Sequence, residues 1–139
     1  MTPFGQAPAF RLEVEVRPPE PLDPASGGPV RLVAITGGRV SGQIEGAILP
    51  GGTDWQSLHE DGSIGIEARY LLELTDGTRI ELQSRGTRGA GASGFWSSMW
   101  LRTTSSAHAE LNRQQFLALG RKRESFVEIE VFALPEIAA

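Results

Sequence analysis

The stretch SIGIEARYLLELTDGTRIELQSRG, residues 63–86, decides the fold. At its centre, Asp76-Gly77 supplies the pair that most readily takes the positive φ angles of a tight hairpin turn. Apolar side chains recur at every second position on either side: Ile64, Ile66, Ala68, Tyr70 and Leu72 before the turn, Ile80 and Leu82 after it. Successive side chains leave a strand on opposite faces, so a period of two marks a strand with one face buried. The spacing predicts an antiparallel hairpin over residues 63–75 and 78–86.

The same alternation recurs away from this hairpin. In Phe10–Val16, Phe10, Leu12, Val14 and Val16 face one way and Arg11, Glu13 and Glu15 the other. Near the end, Val127, Ile129 and Val131 alternate with Glu128 and Glu130 in a predicted strand 126–134, which pairs with 115–119 across a charged turn. Residues 95–103 put Trp96, Ser98, Trp100 and Arg102 on one face and Phe95, Met99 and Leu101 on the other. Two apolar or aromatic faces predict a central strand or one that meets another subunit. Residues 30–36 and 39–49 read as two strands joined through Gly37-Gly38, and Leu49-Pro-Gly-Gly-Thr-Asp-Trp-Gln56 as the turn leaving the second. Gly42 and Gly46 share a face with Val40, Ile44 and Ile48, which suits a wall that bends sharply. Residues 105–113 alone have helical character, with Ser105 or Ser106 as N-cap. The Pro-rich segment 18–29 reads as a connection and residues 1–9 as a flexible leader, leaving 10–139 as one domain. About eight strands with a turn roughly every ten residues predict a single closed antiparallel β-barrel with one short helix.

Composition narrows the chemistry. In a chain of 139 residues with 40% hydrophobic content, 17 Gly and 9 Pro fall between apolar runs as turn punctuation. The net charge of −4 gives no general reason to bind nucleic acid, whose phosphates demand a basic surface, and argues weakly against anionic membranes. With no cysteine, disulfides, thiolate nucleophiles and Cys-type metal sites are excluded. The first residues lack the basic and apolar regions of a signal peptide, and no apolar run reaches the roughly 18 residues of a spanning helix, so a cytoplasmic protein is expected.

Several short motifs together resemble a known family. Ile35-Thr-Gly-Gly38, Leu49-Pro-Gly-Gly-Thr-Asp-Trp-Gln56, Ala68-Arg-Tyr70 and Asp76-Gly77 are spaced as in the bacterial and fungal family called domain of unknown function 3237. Arg85-Gly86, Arg102-Thr103, Leu111-Asn112 and Gly120 extend the likeness, which spans residues 10 to 134. The resemblance implies a compact barrel, similar in architecture to lipocalin-like and allene-oxide-cyclase-like barrels, and no particular biochemistry. One departure is Leu101, where relatives place Tyr or Phe before the Arg-Thr pair.

Candidate site residues follow from side-chain chemistry. Asp54 is a candidate acid or base and Trp55 one wall of a pocket at the barrel mouth; equally, Asp54 can cap backbone N–H groups in a turn while Trp55 plugs the barrel end. Tyr70 shares the apolar face of its strand and is expected inside, where its phenol needs a partner that a ligand could supply. Arg69 then lies outside with Glu67 and Glu73, although a wide, polar interior would reverse both and bring Arg69 to the ligand. Arg85, Arg88 and Arg102 offer planar forks for a carboxylate or phosphate, and Trp100 beside Arg102 suits an aromatic acid. For Arg88 a solvated surface role weighs more. His59-Glu60-Asp61 has no metal-ligand spacing, no Ser-His-Asp arrangement is supported, and the Gly-rich run 86–94 is no phosphate loop, so neither metal nor cofactor is expected.

Two functions fit. One is a barrel that binds a small organic molecule and directs a cyclisation, isomerisation or hydration through Asp54, Tyr70 and the arginines. The other is a structural, self-associating module whose barrel is filled by its own side chains.

Overall fold

The computed structural model describes residues 5–137. Ten strands are arranged in one antiparallel sheet: β1 (Phe10–Val16), β2 (Glu20–Asp23), β3 (Gly27–Gly42), β4 (Gly46–Ile48), β5 (Gly52–Leu58), β6 (Ile64–Leu74), β7 (Arg79–Arg88), β8 (Gly94–Arg102), β9 (Phe116–Lys122) and β10 (Val127–Ala133). The order β1-β10-β9-β8-β7-β6-β4-β3 closes where β3 pairs with β1, so the sheet is a barrel with eight positions and two extra strands. β4 and β5 share one position. Both lie between β3 and β6, β4 against residues 38–40 of β3 and β5 against residues 30–35. Between them Pro50 has no N–H to give, and Gly51 turns at φ +109 while its own N–H reaches the Ile35 carbonyl at 3.1 Å. β2 likewise continues along the edge of β3 that β1 leaves. Among the described residues no helix is long and apolar enough to cross a membrane.

The 63–86 hairpin forms as its alternation predicts, with Gly77 at φ +87 and the Thr78 N–H donated to the Asp76 carboxylate at 2.9 Å. Gly37-Gly38, by contrast, makes no hairpin. It lies inside the 16-residue β3, at a bulge where Glu15 pairs with Gly37 but Val16 with Ile35. Gly38 adopts φ +140, and a Cβ there would run into the Glu13 carbonyl, so the β1 backbone packs directly onto it. The extra residue reverses the alternation. Val33 and Ile35 are buried before the bulge and Val40 after it. Two further expectations fail: the Pro-rich 18–29 segment contains β2, and the run through Asp54 and Trp55 is strand rather than turn, because Gly52–Leu58 completes the ladder between β3 and β6.

One half of the barrel is packed solid. Phe10 and Phe116 meet edge to face at 5.7 Å between centroids, with Leu72, Ile80, Met99 and Val131 around them. A 3-10 helical segment, Ser106–Arg113, sits at this end. Leu111 is its buried residue, and Asn112 exchanges two hydrogen bonds with the Thr103 backbone at 2.8 and 2.9 Å. Ser105 precedes it without a side-chain cap. Of the predicted leader, residues 1–4 lie outside the described residues, as do 138 and 139 of the predicted domain, and Ala9 is already buried in the core.

Candidate functional site

The other half of the barrel is hollow. A cavity of about 280 Å³ opens at the end formed by the start of β3 and the end of β5. Apolar side chains such as Val14, Val33, Ile35, Ile66, Phe95 and Ile129 line much of it. Toward the filled half it ends on polar groups, Asp54, Tyr70 and Ser84, with Gln56 two residues nearer the mouth on β5.

β5 explains how a carboxylate comes to be inside. Its alternation sends Asp54 and Gln56 inward and Trp55 outward, where the indole is 48% exposed. Asp54 stands between Val33 and Ala68 on the neighbouring strands. The Gln56 amide donates to Asp54 Oδ2 at 2.9 Å, and the Arg31 Nε donates to Gln56 Oε1 at 2.7 Å. Asp54 Oδ1 is sealed from solvent and has no hydrogen-bond partner. Burial pushes the Asp54 carboxyl up to about 6, against the pull of the Gln56 hydrogen bond, the Glu67 backbone N–H and the Arg31 charge.

Tyr70 lies two residues along β6 from Ala68, on the same face, and is 4% exposed. Its hydroxyl is also buried without a partner. Burial raises the phenol's pKa and the nearby Asp54 charge raises it further, so Tyr70 stays protonated and able to donate. Ser84 Oγ is occupied, donating to Ser97 Oγ at 2.9 Å. The cavity floor thus holds a carboxylate that titrates close to neutrality, a neutral phenol, and two oxygens with free hydrogen-bonding capacity.

The structure brings Asp54 and Tyr70 together but leaves Trp55, Arg69, Arg85, Trp100 and Arg102 out of this cavity. Each of the five occupies an outward position of its strand. Arg69 donates to Glu81 at 2.7 Å, Arg102 grips the same carboxylate, and Arg85 bonds Glu67 at 3.0 Å. These exposed pairs have little energetic weight. Trp55, Arg69 and Arg85 share a shallow outer groove with Leu22 and His59, and Trp100 is 40% exposed. His108 bonds Asp76 at 2.8 Å, and neither histidine lines the cavity. Gln56 and Arg31 went unnoticed in the sequence. Alternation carried through Gly52–Leu58 puts Gln56 on the face of Asp54, and was the signal that could have found it.

The family model described as a protein of unknown function, DUF3237, matches residues 5–134. A UPF0311 protein of Bradyrhizobium diazoefficiens is 36% identical over 58 residues, a match covering 42% of this chain and only 38% of that protein. Among solved structures, a β-barrel-like protein of Acinetobacter baumannii has a TM-score of 0.83 at 27% identity, over 97% of this chain and 98% of its own. A structure described as an enzyme from Penicillium herquei has a TM-score of 0.65 at 20% identity, over 95% and 100% of the two chains, a likeness of fold alone. Matched over nearly its full length, the chain belongs to the DUF3237 family of β-barrel proteins.

Proposed function

We infer that the protein binds a small organic molecule in the hollow half of its barrel and moves a proton on it through Asp54, without a cofactor. One observation carries this reading: Asp54 and Tyr70, each with a buried side-chain oxygen that has no partner, line the same cavity. Leaving a buried polar atom unpaired costs about 1–3 kcal/mol, a cost that a bound ligand would remove. A carboxyl held at about 6 suits general acid–base work near neutral pH. Asp54 takes a proton from an O–H or C–H of the ligand, Tyr70 donates a hydrogen bond to the oxygen where negative charge develops, and Asp54 returns the proton to a second atom. Cyclisation and isomerisation fit this sequence, and hydration fits a version in which Asp54 takes the first proton from a water whose oxygen adds to the ligand, with the apolar walls confining the reacting groups. The reading rests on the site and not on likeness of fold.

The test is ligand-observed saturation-transfer NMR with a panel of small aromatic and aliphatic acids, alcohols and ketones. Binders should lose their signal with Ile66→Trp, which fills the cavity. Those with a C–H beside a carbonyl should exchange it for deuterium with the native protein and not with Asp54→Asn. A panel without one cavity-dependent binder overturns the reading.

A second reading, self-association, draws on the outer face of β8, where Trp96 and Trp100 are 48% and 40% exposed. Sedimentation velocity tests it. A dimer lost on Trp96→Ser/Trp100→Ser supports this reading, and a monomer at every concentration ends it.

A further inference from the structure

We propose that the cavity takes an organic anion, held head-outward: its acidic group at the barrel mouth among Arg17, Arg31, Arg88 and Lys122, its apolar body along the walls, and a hydroxyl or carbonyl at its far end facing Asp54 and Tyr70. The proposal rests on the cavity being a binding site and adds the charge, length and orientation of what it binds.

The chain has 13 Lys and Arg against 17 Asp and Glu, so partners are plentiful. Eight of the basic side chains use them: Arg11, Arg39, Arg69, Arg79, Arg85, Arg102, Arg121 and Arg123. Among the described residues five do not, and four of those five line this one cavity, the exception being Arg113 in the 3-10 segment. An acidic protein with four cations outside any direct ion pair around a single opening has a local field there opposite to its net charge.

Their positions make scatter an unsuitable account. β3 buries Val33 and Ile35, β7 buries Ile80, Leu82 and Ser84, and β9 buries Phe116 and Ala118. Continued to the open end, each of these inner faces reaches a base: Arg31 on β3, Arg88 as the last residue of β7, Lys122 as the last of β9. Three strands thus direct a cation toward the mouth from the face that elsewhere builds the core. Arg31 is committed to Gln56 only through Nε, which leaves the outer edge of its guanidinium for a ligand.

The opposite end has the opposite sign. Among the described residues Asp54 is the single carboxylate lining the cavity, and it lies at the floor. A ligand's anionic head is therefore repelled from the floor and attracted to the rim. Arg88 stands opposite Ile64, and Ser84 opposite Ala68, which faces Asp54 in turn. Four residues of strand separate these levels, about 13 Å along the strand, or roughly 10 Å of depth with the strand tilt of an eight-position barrel. The head and the far polar atom of the ligand should be about that far apart.

Fluorescence titration of the intact protein with two probes of similar shape tests the proposal: anilinonaphthalene sulfonate, which carries an anion, and phenylnaphthylamine, which carries none. The sulfonate should bind about tenfold tighter than the neutral probe and weaken as salt is added. Arg88→Gln/Lys122→Gln, at two exposed positions, should weaken the sulfonate about tenfold and leave the neutral probe unchanged. Ala68→Trp, which blocks the cavity, should abolish both. Equal affinity for the two probes, or a double variant without effect on the sulfonate, overturns the anion proposal while leaving a binding cavity in place. Sulfonate fluorescence that survives Ala68→Trp comes from outside the barrel and also overturns it. If neither probe binds, the cavity reading falls, and the anion proposal with it.

Discussion

Gln56 ties Asp54 to the charge of Arg31: its amide donates to the carboxylate while its carbonyl accepts from the guanidinium. The cation acts on Asp54 through a neutral side chain and at a distance, so the carboxyl is tempered without becoming half of an ion pair. Gln56→Leu removes the hydrogen bond while nearly keeping the volume. A hydrogen bond to a charged group is worth about 1.5–3 kcal/mol, so the Asp54 pKa should rise by about 1 unit or more above its value near 6. Carboxyl carbon NMR titration measures it, and an unmoved Asp54 would show that Gln56 is not its support.

The raised Asp54 pKa gives stability a definite pH dependence. The folded state holds the proton up to about 6, whereas the unfolded chain releases it near 3.8. Between those values the folded state binds more protons, so stability falls as pH rises through the window and stays low above it. At neutral pH the buried charge costs on the order of 2–3 kcal/mol. Asp54→Asn should therefore be more stable than the native protein at neutral pH and equal to it below the window. Thermal unfolding across the range checks this, and a stability gap independent of pH contradicts it.

Tyr70 carries a related cost. Its hydroxyl is buried and unpaired, so Tyr70→Phe should stabilise the empty barrel by about 1 kcal/mol while weakening any ligand that bonds the phenol. Urea denaturation gives the first number. A loss of stability of that size would mean the hydroxyl has a partner after all.

These costs explain which parts of the chain could be read in advance. The 63–86 hairpin, β1, β8 and β10 bury one face continuously, so period two declares them. β5 has no such face: its inward residues Asp54 and Gln56 bring polar groups into the cavity, and its outward Trp55 is the largest apolar group in it. Alternation therefore runs backwards where the site lies, and Pro50-Gly51-Gly52 before it looks like the whole turn. The family-like motif sets Asp54 beside Trp55, but adjacent strand residues cannot share a face, so only Asp54 of the two lines the cavity. The outward arginines misled for a similar reason: guanidinium chemistry alone does not distinguish a rim cation from one that holds Glu81 or Glu67 on the outer wall.

The bulge in β3 links fold and site, because it lets one strand face its Arg31, Val33 and Ile35 inward and then Val40 as well. Gly38 holds φ +140 against the Glu13 backbone, with no room for a Cβ. At Gly37, φ +154, a Cβ would meet the end of the Glu15 side chain at 3.3 Å, which can move aside. Gly38→Ala must strain both backbones or slip the register, whereas Gly37→Ala has mainly its own φ to relieve. Strained backbone positions cost about 1–3 kcal/mol each, so Gly38→Ala should lose at least about 1 kcal/mol more than Gly37→Ala in urea denaturation. Any slip that straightens β3 turns Arg31, Val33 and Ile35 outward together. Folded Gly38→Ala protein should then have a diminished cavity and bind anilinonaphthalene sulfonate less tightly, which no account confined to local strain expects. Equal costs at the two glycines, with probe binding untouched, would separate the bulge from the site.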